Sequence, residues 1–377
     1  MENPFKKIFS RNKDQSFLGV DIGSSSIKVV QLKKKKGVVV LETYGELSLG
    51  PYAKIESGRA TNLSETEIGN ALASLLKEAN VTTAECGVSI PLMSSLVFII
   101  EMPTDDPHQL AQMIPIEARK YIPVPISEVD LDWKIIPKTD KGVSSFTDES
   151  STEEKLKEKV IKKTEILVAA IHKDTVIQKK TIAENSKLKL NFLEIEIFST
   201  IRAVAGQNIL NFAVLDMGSG ATKLYLVEKG VIKDSHIIAR GSQDITLNIS
   251  RSTGVSIGEA EKQKVDIGIK GQTEQEKKVS DVVISNLEYV FNDANKVILA
   301  YQKKYNKNID KLIVTGGGAV LNGMVDFAQS HSEMEAEIAD PFSKVETPAF
   351  LDELLKKVGP GFAVSVGIAL RGLGDME

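Results

Sequence analysis

The chain has 377 residues, with 47 Lys and Arg against 51 Asp and Glu, and so a formal charge of −4 at pH 7. This balance gives no electrostatic reason to expect nucleic-acid binding, and a hydrophobic content of 42% excludes a mainly disordered chain. One cysteine and four scattered histidines exclude an internal disulfide and a thiolate or imidazole metal cluster, which favours a reducing cytoplasm.

No segment is long and apolar enough to predict a membrane span. The most apolar runs, Leu96–Ile100 and Phe362–Leu370, fall short of the roughly 20 residues that a spanning helix needs. Residues 1–15 lack the apolar core of a signal peptide and predict a solvated N-terminal tail. The alternative for this tail is weak contact with anionic lipid through Phe5, Ile8 and Phe9 among basic residues. Any membrane contact is therefore expected to be peripheral.

The first elements predict a strand meander followed by a helix. Phe17–Gln31 reads as a strand, a polar turn at Asp21–Ser26 and a second strand, and Val38–Tyr44 supplies a third strand. Thr61–Asn80 has the spacing of an amphipathic helix, and Glu85–Ile90 follows as a strand. This order is typical of one half of an α/β domain.

Residues 92–190 interrupt that scheme and predict an inserted α+β subdomain. Its expected strands and helices are Ser95–Glu101, Pro107–Tyr121, Val129–Ile136, Glu165–His172 and Asp174–Ser186. Residues 138–163 are dense in charged residues and predict a mobile surface loop, with one helical turn near Glu153–Lys159.

An internal repeat indicates a duplicated domain. A shift of 195 residues places Asp21 on Asp216, Gly23 on Gly218, Ser24 on Ser219 and Lys28 on Lys223 without a gap. The elements expected after the second copy are the strand Val231–Ala239, the helices Asp244–Thr253, Ser256–Lys264 and Asp281–Lys304, the strand Lys311–Thr315, and the helices Leu321–Gln329 and Pro360–Gly372.

The two repeated turns have the composition of phosphate-binding loops. Gly23, Gly218 and Gly220 give the backbone conformational freedom, and the small hydroxyl residues Ser24, Ser25, Ser26, Ser219 and Thr222 leave room for a phosphate on backbone N–H groups. Asp21 and Asp216 end buried strands, where each carboxylate is suited to hold the water shell of Mg²⁺. A single Asp-x-Gly turn is common for structural reasons, so the prediction depends on the two copies in register.

Two further features have both a structural and a functional interpretation. Gly316, Gly317 and Gly318 lie between a strand and a helix, where they serve either as a turn or as a floor for adenine or ribose. Glu261 and Lys264 lie on neighbouring turns of one helix, and their default interpretation is an exposed ion pair.

Taken in this order, the motifs resemble the ATPase superfamily of actin, heat-shock chaperones and sugar kinases, which implies two ribonuclease-H-like lobes with nucleotide in the cleft. Leu110–Pro125, Glu128–Trp133 and Glu194–Ala203 narrow the resemblance to the PilM family of type IV pilus assembly proteins, relatives of the division protein FtsA. The family usually has an aspartate where Glu194 stands. The implied domains are a first lobe of 16–91 and 191–209 joined by helix 360–372, an FtsA-type insert at 92–190, and a second lobe of 210–359.

The resemblance also implies a binding role for each motif. Asp21–Ser26 and Asp216–Thr222 would be the phosphate loops, with Lys28 reaching the phosphates. Glu261 and Lys264 would contact ribose or the purine edge, and Gly316–Gly318 would floor the adenosine. The expected cofactors are ATP and Mg²⁺.

The implied location is the inner face of the cytoplasmic membrane, within the pilus assembly platform. A groove between the first lobe and the insert would take the N-terminal tail of a PilN-like membrane protein. Arg119, Tyr121 and Ile122 are placed near that groove, or, alternatively, at a helix end packed on its own sheet. The sequence leaves self-association open.

Hydrolysis is expected to be slow or absent. The candidate carboxylates near a γ-phosphate are Asp21 and Asp216, with Glu194 or Glu196 further off, and no segment identifies one of them as a base.

Two other functions remain as alternatives. A small-molecule kinase should show a substrate-shaped insertion, whereas the insert here is aromatic and proline-rich. An FtsA-like division protein should end in an amphipathic targeting helix, whereas this chain is expected to end without one.

Overall fold

The computed structural model describes residues 15–137, 163–206 and 211–376. Its strands are β1 (Gln15–Ile22), β2 (Ser26–Lys35), β3 (Val38–Ser48), β4 (Glu85–Ile90), β5 (Ser95–Met102), β6 (Val129–Ile135), β7 (Thr164–His172), β8 (Lys189–Ile195), β9 (Asn211–Met217), β10 (Thr222–Glu228), β11 (Val231–Ile238), β12 (Lys311–Thr315) and β13 (Glu335–Ile338). Its α-helices are α1 (Glu65–Glu78), α2 (Pro107–Ala118), α3 (Lys173–Asn185), α4 (Glu196–Val204), α5 (Ser242–Thr253), α6 (Ile257–Ile267), α7 (Glu274–Tyr305), α8 (Met324–His331), α9 (Asp352–Val358) and α10 (Ala363–Asp375).

Two five-stranded sheets share one topology. The first has the order β3-β2-β1-β4-β8 and the second has the order β11-β10-β9-β12-β13. In each sheet the first three strands in sequence form an antiparallel meander, and the last two add in parallel. The repeat in the sequence is therefore a repeat in the structure, and the predicted duplicated two-lobe fold is confirmed.

Each sheet is covered by helices through apolar side chains. In the first lobe, α1 packs on the sheet through Ala71, Leu72 and Leu75, and it begins with a capping box at Ser64. In the second lobe the 32-residue helix α7 runs across the core, and it begins with a capping box in which the Thr273 hydroxyl accepts a hydrogen bond from the N–H of Glu276. These caps explain why both helices begin where they do.

The C-terminal helix α10 packs on the first sheet and on α4 at very short range. A Cβ built on Gly367 would lie 1.9 Å from the Ser199 carbonyl oxygen, and one built on Gly19 would lie 1.9 Å from the Ser365 carbonyl oxygen. The absence of side chains at these positions lets the backbones touch. The first lobe is thus closed by a helix from the far end of the chain.

The chain divides into two compact units. One contains the described residues of 1–93 and 175–377, and the other is Ser94–Asp174. The second unit has its own antiparallel sheet, β5-β7-β6, and its own core of α2 and strand residues, including Ile100, Leu110, Ile114 and Val168. The predicted insert extended to residue 190, whereas α3 belongs to the larger unit because Ile182 packs in the core of the first sheet.

The sequence predicted most elements within a few residues, but four were not predicted: the strands Lys189–Ile195 and Glu335–Ile338 and the helices Glu196–Val204 and Asp352–Val358. The long helix also begins earlier than expected, at Glu274 instead of Asp281. The predicted N-terminal tail to residue 14 and the predicted mobile loop, apart from Lys163, lie outside the described residues. Among the helices of the described residues, none combines the length and the hydrophobicity that a bilayer crossing requires.

Candidate nucleotide-binding site

The two repeated turns have matching backbone geometry. Across β1 and β2, Asp21 is the register partner of Lys28, and across β9 and β10, Asp216 is the partner of Lys223. The N–H of Gly23 donates to the carbonyl oxygen of Ser26 at 3.0 Å, and the N–H of Gly218 donates to that of Ala221 at 3.1 Å. Both hairpins therefore end in the same tight loop, with an acid on one strand facing a lysine on the next.

The tips of the two loops approach each other with unused backbone donors. Within the described residues, the amide N–H groups of Ser24, Ser25, Ser219 and Gly220 make no hydrogen bond. A Cβ built on Gly220 would lie 3.4 Å from the Oγ of Ser24, which shows how close the loops are. Four unused amide donors on two neighbouring loops that line one cleft form a suitable environment for a phosphate chain.

A cleft of about 820 Å³ lies between the lobes. Its volume is within the usual range for small-molecule and cofactor sites. It brings together all but one of the residues predicted to bind nucleotide: Asp21, Gly23, Ser24, Ser25, Ser26, Lys28, Asp216, Gly218, Ser219, Gly220, Glu261, Lys264, Gly316, Gly317 and Gly318.

Thr222 is the exception, and its prediction as a cleft residue is wrong. Its side chain is buried, and its hydroxyl donates to the Arg240 carbonyl oxygen at 2.8 Å. Side chains alternate along a strand, so Thr222 and its neighbour Lys223 point to opposite faces. Lys223 lines the cleft instead.

The floor of the cleft carries a buried cluster of charges. The Nζ of Lys223 lies 2.7 Å from Oε2 of Glu196 and 3.6 Å from Oδ2 of Asp216. Burial raises the pKa of Glu196; Lys223 opposes this shift and Asp216 adds to it. Burial works against the charge of Lys223, but the two carboxylates outweigh it and raise the pKa of that lysine. One cation thus holds two acids together.

Asp21 and Glu196 are positioned by neighbouring donors. The hydroxyl of Ser89 donates to Oδ1 of Asp21 at 2.7 Å, and the backbone N–H of Leu92 donates to Oε1 of Glu196 at 2.7 Å. Glu194, the other acid considered from the sequence, binds Arg202 and Arg371 instead and is not part of the cleft lining. Of the four acids considered from the sequence, Asp21, Asp216 and Glu196 line the cleft.

Glu261 and Lys264 form a partly buried pair, and the interpretation as an exposed surface pair is wrong. Their Nζ and Oε2 atoms lie 2.7 Å apart, and the Lys264 side chain is only 5% exposed. Thr246 holds the pair through hydrogen bonds to both members. Burial lowers the pKa of Lys264, while Glu261 opposes that shift. The Oε1 atom of Glu261 makes no hydrogen bond with the described residues and stays available to a ligand.

The three glycines at 316–318 are not equivalent. Gly316 has φ of +85°, and a Cβ on it would lie 2.6 Å from Oδ1 of Asp216. A Cβ on Gly318 would lie 2.8 Å from Cβ of Met217. A Cβ on Gly317 would meet nothing within 4 Å, and Gly317 lines the cleft. Two of the glycines are required by the turn, and the middle one presents bare backbone to the cleft.

Two lysines that line the cleft were not predicted. Lys223 was detectable, because the repeat aligns it with Lys28. Lys28 itself is bound to Oγ of Ser26 at 2.8 Å and to Glu46 at 2.9 Å. Lys179 lies on α3, in a segment with no motif, so no local sequence signal identified it.

The residues expected to line a partner groove lie in the Ser94–Asp174 unit. Ile122 is 7% exposed and packs in the core of that unit, so its prediction as a groove residue is wrong. Tyr121 is 49% exposed and stacks on Phe98, with ring centroids 4.9 Å apart. Arg119 is exposed at the end of α2.

Two lobes of one topology, each contributing an Asp-x-Gly-Ser turn to a shared cleft, define a protein of the actin-like fold. The model of the family described as type IV pilus assembly protein PilM matches residues 19–373. The chain therefore belongs to the PilM family of type IV pilus assembly proteins.

Three relatives show the range of similarity. A solved structure described as a PilM-PilN type IV pilus biogenesis complex is similar over 94% of this chain and 98% of its own, with 21% identity and a TM-score of 0.76. MreB 5 of Spiroplasma citri bound to AMPPNP is similar over 96% and 98% of the two chains, with 10% identity and a TM-score of 0.51. The cell division protein FtsA of Enterococcus hirae is 26% identical over 168 residues, which span 39% of this chain and 38% of FtsA.

Proposed function

We propose that this chain is an ATP-binding component of type IV pilus assembly whose bound state matters more than its turnover. The observation that carries the proposal is the pair of neighbouring cleft loops with unused amide donors, Ser24 and Ser25 on one side and Ser219 and Gly220 on the other. The MreB 5 structure supports it, because a protein of the same fold is described there as bound to AMPPNP.

The proposed binding mode follows from the chemistry of the lining. The phosphates lie between the two loops, adenosine lies on the bare backbone of Gly317, and Oε1 of Glu261 accepts a hydrogen bond from a ribose hydroxyl or the purine edge. Lys28 and Lys223 supply positive charge beside the phosphate chain.

Magnesium fits this arrangement through water. Within the described residues, no three or more His, Cys, Asp or Glu side chains are grouped to hold a metal ion. Asp21 and Asp216 are suited to orient the waters of Mg²⁺, which keeps several waters and takes its other ligands from the phosphates. Slow turnover is proposed because Asp21, Asp216 and Glu196 already interact with Ser89 or Lys223, which limits their use as a base.

Calorimetric titration with ATP, with and without Mg²⁺, tests the proposal. We expect the wild-type protein to bind more tightly with Mg²⁺, and Asp216→Ala to weaken binding and reduce the effect of the metal. Lys223 keeps its 2.7 Å partner Glu196 in this variant, so the fold should survive. Asp326→Ala, an exposed acid paired with Lys270, is the control. Absence of ATP binding by the wild type would refute the function.

We also propose that the chain binds the N-terminal tail of a PilN-like membrane protein and is thereby held at the inner membrane. Family membership and the description of the PilM-PilN complex support this partner. Fluorescence anisotropy with a labelled peptide of that tail should show micromolar or tighter binding. A variant lacking residues 1–14 should bind equally well. Binding that requires residues 1–14 would favour recruitment by lipid contact instead.

A further inference from the structure

Lys179 is a buried lysine that lines the cleft. Its residue is 5% exposed, and among the residues described by the structure its Nζ makes no hydrogen bond or ion pair. The other cleft lysines are all paired: Lys28 with Glu46, Lys223 with Glu196, and Lys264 with Glu261. Lys179 therefore differs from them in having an unused set of donors.

An unpaired ammonium group in this position is costly. Burial lowers the pKa of Lys179 to about 8, although the negative charges of Asp21 and Glu196 oppose the shift. At pH 7 the group is still mostly protonated, and neither acid lies within ion-pair distance. A charged donor that faces a cleft and lacks a partner is best satisfied by an anion that enters the cleft.

The surroundings of Lys179 indicate which anion this is. Asp21 ends β1 directly before the first phosphate loop, and Glu196 belongs to the charge cluster under the second loop. The cation is thus on the phosphate side of the site. In the proposed binding mode the amides of the two loops hold the first phosphates of the chain, which leaves the unused lysine for the terminal phosphate.

We propose that Lys179 binds the terminal phosphate of a nucleoside triphosphate and makes the cleft prefer the triphosphate to the diphosphate. This inference rests on the proposed function. A hydrogen bond to a charged group in a buried site is worth about tenfold or more in affinity. We therefore expect ATP to bind at least about tenfold more tightly than ADP, and we expect this preference to require Lys179.

Calorimetry with Mg²⁺-ATP and Mg²⁺-ADP on the wild type and three variants tests the proposal. In Lys179→Gln the affinity for ATP should fall about tenfold, while the affinity for ADP should stay within about twofold. Lys180→Gln is the matched control, because Lys180 is the next residue of the same helix and is exposed. Lys179→Met serves as a second variant. Circular dichroism should show that all of the variants fold, since the lost amine makes no hydrogen bond or ion pair with the described residues.

Proton uptake provides a readout that a structural role would not change. At pH 8 a group with a pKa of about 8 is about half protonated, so binding a phosphate to it should draw in about half a proton. Titrations in buffers with different ionisation enthalpies measure this uptake, which should appear with ATP, fall with ADP and vanish in Lys179→Gln.

The possible failures can be told apart. If the wild type binds ATP but Lys179→Gln weakens ATP and ADP equally, or neither, the role of Lys179 is wrong and the proposed function stands. If the wild type binds neither nucleotide, the proposed function fails, and the inference fails with it.

Discussion

Replacing Gly317 with valine should weaken nucleotide binding and leave the fold intact. A Cβ at this position meets nothing within 4 Å, and Gly317 has no positive φ that a side chain would strain. The free energy of unfolding should therefore change by no more than about 1 kcal/mol. In the cleft, the three added carbons occupy the space where adenosine would contact the backbone, which should reduce ATP affinity by at least about tenfold, or about 1.4 kcal/mol.

The neighbouring residue Gly316 supplies the control for this experiment. Gly316→Ala places a Cβ at a φ of +85° and 2.6 Å from Oδ1 of Asp216, so it should destabilise the protein by about 1–2 kcal/mol. Chemical denaturation measures the stability of both variants, and calorimetry measures their ATP affinity. Normal ATP binding by Gly317→Val would refute the placement of adenosine, and loss of its fold would show that this glycine is needed by the turn.

Three further predictions concern stability. Lys179→Met should be more stable than the wild type near pH 7, because the depressed pKa of about 8 means that the folded wild type holds a buried charge at a cost that fades as the pH rises toward 10.5. In denaturation curves the difference in unfolding free energy between the two proteins should shrink by about 2 kcal/mol between pH 7 and 9.5. A difference that does not change with pH would contradict the buried amine. Lys223→Met should lower the free energy of unfolding by about 3 kcal/mol, because it leaves two acids without their cation. Adding Glu196→Gln should recover part of that loss, whereas additive effects of the two substitutions would argue against the ion pair of Lys223 and Glu196. Gly367→Ala should cost about 2 kcal/mol or more because α10 touches the backbone of α4, and Gly374→Ala on the same helix, where a Cβ meets nothing, should leave the melting temperature nearly unchanged.

The duplicated fold was predictable because both copies of the motif lie on contiguous sequence. Asp21 and Asp216, each followed two residues later by a glycine, occur at the same point of two strand hairpins, and the alternation of apolar residues defines the strands around them. Such local signals depend on the chain within about ten residues, which is the range that turn chemistry and periodicity cover.

The missed parts depend on contacts between distant segments. Lys179 enters the cleft because α3 packs on the first sheet, and nothing near it in sequence indicates that contact. The exposure of the pair Glu261 and Lys264 was misjudged because Thr246, on another helix, covers it. Ile122 follows a helix end and looks like a surface residue, but the sheet of its own unit buries it.

A crystal structure of the full chain with Mg²⁺ and a non-hydrolysable ATP analogue would test the proposed nucleotide site most directly. We expect phosphate oxygens on the amides of Ser24 and Ser219, the adenosine against Gly317, and the terminal phosphate within hydrogen-bond distance of Nζ of Lys179. A saturated crystal with an empty cleft, or with the nucleotide bound elsewhere on the chain, would contradict it.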